Sequence, residues 1–381
     1  MGLRDRLRDT DTASGCRCEP TFRSPPGSDP DRGVALVVDA ADCPGNGDLA
    51  AEPDCRATVV DALADRDADA VRVRCGGRER SYDDGAVGLL VAAGQFVART
   101  SVHDETLAER ARRDPLGAAR AATGRAGPVA NVAATSGLAA GAERVDGYET
   151  GLRATVGPRI SNSRLAERPP EDATLVGRRD LDTGATVRRY RTERGWYYHL
   201  DPVEARLGDS EMAALDAAYD RLSAGGEGDG GETTAAIAVT DTGRDVARAV
   251  RGVEAETDGD VSTEAVERVL RKHTHGHGVL DDLFADPEVS EVLVTAPVSD
   301  NPVRVSVDGD RLPTNVHLTR NGAAALASRF RRESGRAFSR ANPTLDATTE
   351  GPSGGRIRVA GVADPASEGY GFVFRTHGAS A

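Results

Sequence analysis

Residues 275–297 read HGHGVLDDLFADPEVSEVLVTAP, and residues 311–348 read RLPTNVHLTRNGAAALASRFRRESGRAFSRANPTLDAT. These two stretches decide the fold class. Residues 289–295 form a short β-branched run that predicts a strand. Val303, Val305 and Val307 alternate with Arg304 and Ser306, as a half-buried strand does. Asp308-Gly309 is a hairpin turn signal. Thr319 stands where it can cap a helix whose Ala323, Leu326, Ala327 and Phe330 share a face, and Gly335 can end that helix. Residues 356–362 and 370–375 read as a closing pair of strands, and 261–273 as a helix with Val266, Val269 and Leu270 on one face. The block from 261 to 381 is therefore expected to be a compact α+β unit.

Outward from this block the pattern loosens. Residues 34–38 read as a buried strand, 56–63 as the start of a helix and 71–75 as an alternating strand. A turn at Gly76-Gly77 leads to an apolar helix over 86–97. Ala-rich segments from 104 to about 156 are broken by Asp114-Pro115, Gly124, Gly127-Pro128 and Gly137, as helices with breakers at their ends. Residues 186–200, TVRRYRTERGWYYHL, read as two strands about a turn, and 210–223 as a helix. AGGEGDGGETT at 224–234 has the composition of an exposed flexible loop. The expected organisation is α+β and multi-domain. A helix-rich N-terminal extension spans 1–165, a small α+β linker module 166–260, and the C-terminal block 261–381.

The chain has 381 residues, and 48 Lys+Arg against 61 Asp+Glu leave a formal charge of −13. That excludes a general nucleic-acid-coating surface. Val and Ala dominate the apolar set, so cores are expected to be thin. No apolar run reaches the length of a membrane span, which implies no direct membrane insertion, and MGLRDRLRDTDTASG lacks the apolar centre of a secretory signal. The expected place is the cytoplasm, where cysteines are more often metal ligands or buried thiols than disulfides. Lys272 is the sole lysine. Acid excess with almost no lysine is what a salt-adapted, GC-rich organism would produce.

A phosphate loop needs glycines, a lysine and a Ser/Thr. Lys272 lies in Arg271-Lys272-His273 with no Gly-rich approach, and Gly351-Pro-Ser-Gly-Gly-Arg356 offers Arg where Lys is required. These residues hold no phosphate loop. Cys16, Cys18, Cys43 and Cys55 could close a tetrahedral Zn²⁺ site, though the C-x-C spacing is tighter than usual; the alternative is a set of thiols without metal. Cys75 lies on a strand and reads as core. His273, His275 and His277 alternate with small residues and read as a solvated, mobile turn. Asp281, Asp282 and Asp286 read as a helix start and a turn. Between 320 and 358 eight arginines face three acids, a local +5 that suits phosphate or carboxylate but equally suits a solvated helix face. No serine, cysteine or carboxylate arrangement points to hydrolysis.

The C-terminal block resembles the N-terminal domain of the type II/IV secretion-system ATPases, the family that includes the motors of archaeal pili and the archaellum. The resemblance rests on LDDLFADPEVSEVLV, TNVHLT and SGRAFSRANPTLDA occurring in order, followed by GGRIRVAGV and FVFR, over residues 270–375. The C-x-C start and the YYHLDP segment at 197–202 are similar to the N-terminal extension of haloarchaeal members. Members continue past the FxxR strand into a RecA-like domain that carries the phosphate loop, whereas this sequence stops at Ala381. The resemblance thus implies a non-catalytic portion, covering nucleotide and mediating assembly and inactive alone, with ATP and Mg²⁺ engaged only within a complete motor. It implies Arg336, Arg340 and Arg375 as phosphate contacts. The implied partners are a motor ATPase domain or neighbouring ATPase subunits and a membrane platform protein, placing the chain peripherally at the inner membrane face. A truncated or split gene product and a decayed remnant remain open at this point, as does a stand-alone scaffold or regulator without any nucleotide role.

Overall fold

The structure is a computed structural model that describes residues 15–24, 33–125, 127–224, 243–254 and 261–376. Most of the expected 224–234 loop lies outside the described residues. The chain forms two compact units: one comprises residues up to 75 with 82–153, and the other 76–81 with 154 onward.

In the first unit β1 (Glu19–Arg23) pairs antiparallel with β2 (Ala35–Asp39), and β2 runs parallel to β3 (Ala70–Cys75). The crossover between them is α1 (Pro53–Asp65), which starts on Pro53, a residue whose missing N–H is no loss in a first turn. Next come α2 (Asp84–Thr100), α3 (Glu105–Arg113), α4 (Pro115–Thr123), α5 (Pro128–Thr135), α6 (Leu138–Glu143) and α7 (Tyr148–Gly151). Aspartates start three of them: Asp83, Asp104 and Asp114 accept from the backbone N–H of Ala86, Leu107 and Gly117. Helices α1 and α2 meet backbone to backbone at Gly94, where a Cβ would stand 2.5 Å from the Leu63 carbonyl carbon.

The second unit carries β4 (Arg78–Tyr82), β5 (Ala154–Pro158), β6 (Ser163–Leu165), β7 (Thr174–Asp180), β8 (Thr186–Thr192) and β9 (Gly195–Asp201), then a 3₁₀ turn at Val203–Arg206. Helices α8 (Asp209–Ala224), α9 (Gly243–Glu254), α10 (Thr263–Thr274) and α11 (Leu280–Phe284) follow. The closing elements are β10 (Val289–Val294), β11 (Arg304–Val307), β12 (Asp310–Pro313), β13 (Val316–Leu318), α12 (Arg320–Ser334), β14 (Thr344–Glu350), β15 (Arg356–Val362) and β16 (Gly371–Thr376). The last strands make an antiparallel sheet in the order β12-β11-β10-β16-β15-β14. Its β14–β15 hairpin alternates cleanly: Leu345, Ala347, Ile357 and Val359 are buried, while Asp346, Thr348, Arg356 and Arg358 are exposed.

The expected breaks at 165/166 and 260/261 both fall inside this unit. Val187, Tyr198 and Leu200 of the β7-β8-β9 sheet share one hydrophobic core with Val292, Phe330 and Phe374, and α10 shares a second core with α8 and α9. Asn315 stitches the segments together. Its amide donates to the carbonyls of Ala166 and Leu200, and its Oδ1 accepts from the Leu200 N–H. No helix among the described residues is long and apolar enough to cross a membrane.

Candidate functional site

The sequence scatters four cysteines over forty residues, and the fold of the first unit gathers them. Cys16 and Cys18 precede β1, Cys43 lies in the turn after β2, and Cys55 sits in the first turn of α1. Their sulfurs all lie within 4.8 Å of one another, so they could hold a metal ion. Cys43 Sγ is 3.5 Å from Cys55 Sγ and 3.8 Å from Cys16 Sγ. A tetrahedron of Zn–S bonds of about 2.3 Å has edges of about 3.8 Å, so the spacing fits zinc. Gly45 is demanded by this packing, since a Cβ there would come within 2.9 Å of Cys55 Sγ. The Cys18 N–H and the Thr58 hydroxyl both reach Cys16 Sγ, at 3.4 and 3.3 Å. Such donors hold negative charge on sulfur.

The thiols are not equivalent. Burial pushes Cys55 up to about 12, and it raises Cys18 further. Burial also acts upward on Cys43, but backbone N–H groups of Arg17 and Gly45 and the neighbouring thiols outweigh it and bring Cys43 down to about 6. Cys43 is thus the thiol most readily ionised, and binding a metal would require Cys18 and Cys55 to give up their protons. Cys75 was expected in the core. It is only partly buried, because it closes β3 at the Gly76-Gly77 turn, and its Sγ faces Asn46 Oδ1 at 3.6 Å.

All three singled-out arginines are exposed in the second unit. Arg375 on β16 stands directly opposite Arg358 on β15 and Glu291 on β10, and its Nε donates to Glu291 at 2.8 Å. Arg358 is bidentate on Asp346, at 2.9 and 3.2 Å. Arg358 holds the Asp346 carboxyl below the usual range, with a smaller contribution from Arg336. Arg375 therefore stands beside the Asp346–Arg358 pair, whereas Arg340 faces Asp364 at 3.4 Å.

The histidine turn reverses expectation. Far from being solvated, the His273 and His277 side chains are 1% and 2% exposed. The interleaved glycines tighten the chain. A Cβ on Gly276 would lie 2.1 Å from Asp281 Oδ2 and 2.7 Å from the Lys272 carbonyl oxygen. Lys272 Nζ donates to Glu204 at 2.6 Å and Asp282 at 2.7 Å, and His273 Nε2 meets Glu204 at 3.0 Å. Burial would raise the Glu204 carboxyl, but Lys272 and His273 outweigh it and hold it far below its usual range; burial keeps Asp282 raised. Asp281, Asp282 and Asp286 do begin and follow a helix, yet all three are buried in polar networks. The i,i+4 spacing of His277 and Asp281 was the visible signal. Thr349, which His277 also contacts, lies 72 residues away and gave none.

No protein-family model matches the chain, and no curated protein matches it. Among solved structures the chain is similar to the VirB11 ATPase of the Brucella suis type IV secretion system, determined in complex with sulphate. The identity is 20% and the TM-score 0.21, over 25% of this chain and 28% of that one. The chain thus spans under a third of that ATPase.

Proposed function

We propose that this chain is a non-catalytic portion of a type II/IV secretion or type IV pilus assembly ATPase, one that covers nucleotide and mediates assembly. The carrying observation is that the motif-bearing residues from 279 to 374 build one core, while Arg336, Arg340 and Arg375 stand outside it with their guanidinium groups open to solvent. Such groups suit phosphate recognition across a subunit boundary. These 381 residues contain no phosphate loop, so hydrolysis belongs to a RecA-like domain outside them. The four cysteines are proposed to hold a structural zinc, which would tie the segment before β1 to the β2–α1 turn.

Purified alone, the chain is expected to turn over no ATP. Combined with a motor domain that carries a phosphate loop, it should raise turnover, and Arg375→Ala should remove most of that gain without changing the far-ultraviolet dichroism. Turnover by the chain alone, or an Arg375→Ala protein as stimulatory as wild type, contradicts the reading. A second reading, a scaffold of the motor without nucleotide contact, draws on the Arg375–Glu291 pair, which already satisfies that arginine. It predicts co-assembly with the motor and no change in turnover.

A further inference from the structure

Two carboxylates of the second unit are joined by three hydrogen-bond contacts in line. Asp281 Oδ1 lies 2.9 Å from His277 Nδ1, His277 Nε2 lies 3.0 Å from Thr349 Oγ1, and Thr349 Oγ1 lies 3.1 Å from Glu333 Oε2. Each contact needs one hydrogen. A neutral imidazole brings one N–H and threonine brings one O–H, while ionised carboxylates bring none. Two hydrogens cannot serve three contacts. The remaining acceptor sites are already taken: Asp281 Oδ2 accepts from the His277 N–H at 2.9 Å, and Glu333 Oε1 accepts from Arg329 Nε at 2.6 Å. The third hydrogen must come from solution, and among these bases imidazole holds a proton to the highest pH.

We propose that Asp281, His277, Thr349 and Glu333 form a proton-operated latch that ties α12 to β14 and to the 275–279 turn. With His277 as imidazolium, both ring nitrogens donate and the Thr349 hydroxyl is free to donate to Glu333. When the proton leaves, Thr349 has one hydrogen for two acceptors and one contact lapses. Charge agrees with the count. The charged groups hydrogen-bonded into the relay are Asp281 on α11 and Glu333, with its partner Arg329, on α12; Glu350 of β14 and Arg356 of β15 line the cleft beyond with opposite charges, and the rings of Phe284 and Phe330 pack nearby. These groups sum to zero only with His277 charged. Arg329 also donates to the Gly276 carbonyl, so α12 grips the same turn twice.

The outer end of the latch opens on a cleft of about 420 Å³ whose walls include Arg329, Glu333, Thr349, Glu350 and Arg356. Loss of the proton therefore loosens one wall of that cleft. Nothing in this depends on the nucleotide-covering role.

The test uses the full chain labelled with ¹⁵N-histidine, followed by NMR from about pH 5 to pH 9, the span in which an imidazole titrates. Amide exchange at Thr349 and the end of α12, corrected for intrinsic base catalysis, is measured alongside. In the wild type both His277 nitrogens are expected to be protonated at the acid end. Exchange should speed up about five-fold as the proton leaves, the equivalent of one neutral hydrogen bond. Glu333→Gln is the decisive variant. Its amide can donate to Thr349, which then donates to a neutral His277, so all three contacts form without the extra proton and the pH dependence should vanish. Thr349→Val should give fast exchange at every pH and a His277 proton lost at lower pH. A His277 that stays neutral throughout overturns the latch. So does a Glu333→Gln protein with wild-type pH dependence, a result that stands even if Thr349→Val fails to fold.

Discussion

Cys43 and Lys272 face the same physical difficulty, a charge held away from water, and resolve it differently. At Cys43 backbone N–H donors favour the ionised sulfur; at Lys272 two carboxylates meet the ammonium. Because Cys55 and Cys18 are held as thiols, zinc uptake near neutral pH must expel their protons. Apparent zinc affinity should therefore climb as pH rises, with proton release visible in weakly buffered titrations. Cys55→Ser should lower bound zinc well below one equivalent by metal analysis; a variant that retains a full equivalent would remove Cys55 from the site. Lys272 is the only lysine in a chain that otherwise uses arginine, and its compact ammonium sits between Glu204 and Asp282 at under 3 Å from each. Lys272→Met leaves two buried carboxylates without their ammonium, Glu204 keeping only its His273 contact, a loss of about 3–5 kcal/mol in urea unfolding. Adding Glu204→Gln should recover part of it, since the two residues are coupled. The pH sign follows from Glu204. Its carboxyl titrates lower folded than unfolded, so its contribution is present above the ordinary carboxylate range and fades as pH falls toward the folded value. Glu204→Gln should flatten that acid limb.

Helix α12 was legible at both ends because its stops are local chemistry. Thr319 Oγ1 accepts from the Gly322 N–H at 2.9 Å, and Gly335 ends the helix with φ of 66°. Thr319 also donates to the Asn162 carbonyl at 3.1 Å, a tie that no local pattern could reveal. Thr319→Ala is expected to cost about 1 kcal/mol, readable as a lower urea midpoint at unchanged slope. The strands at β2, β3, β8–β12, β15 and β16 were readable from alternation or turn residues. Those at β1, β4–β7 and β14 were not. Strand β14, TLDATTE, pairs with β15 through every residue, yet Thr and Ala on its inner face look polar or small in isolation. Strand β7 lies at the edge of its sheet with Leu175 and Val176 exposed, so it shows no buried face at all. The cysteine site was legible as residue types, because four thiols are rare. Its closure depended on the antiparallel β1–β2 pairing, which brings Cys16 to Cys43 across 27 positions, and on the turn into α1, which brings Cys55 to Cys43 across 12. The histidine turn was misread because glycine was taken for freedom. Here glycine permits close approach.

At the scale of the whole chain, 61 acids against 48 bases leave a repulsion that no single contact removes. Many of the arginines are already committed: Arg113 meets both Asp54 and Glu109, Arg159 meets Asp216 and Asp220, and Arg179 meets Asp286 and Glu288. Salt acts on the two populations in opposite directions. It weakens exposed pairs, each of which contributes about 0–1 kcal/mol, and it screens the surplus acids from one another. The buried pairs, Arg164–Glu79 and Lys272 with its two carboxylates, are shielded from solvent and change little. Screening length falls from about 10 Å at 0.1 M to about 3 Å at 1 M, so long-range repulsion is removed before contact pairs are. Unfolding temperature should therefore rise between those two KCl concentrations. Sucrose at matched osmolality should raise it less, because it stabilises by exclusion and leaves charge untouched. A midpoint that falls with KCl would mean the exposed pairs outweigh the surplus, and the arginines would then be holding the fold together rather than merely offsetting its acids.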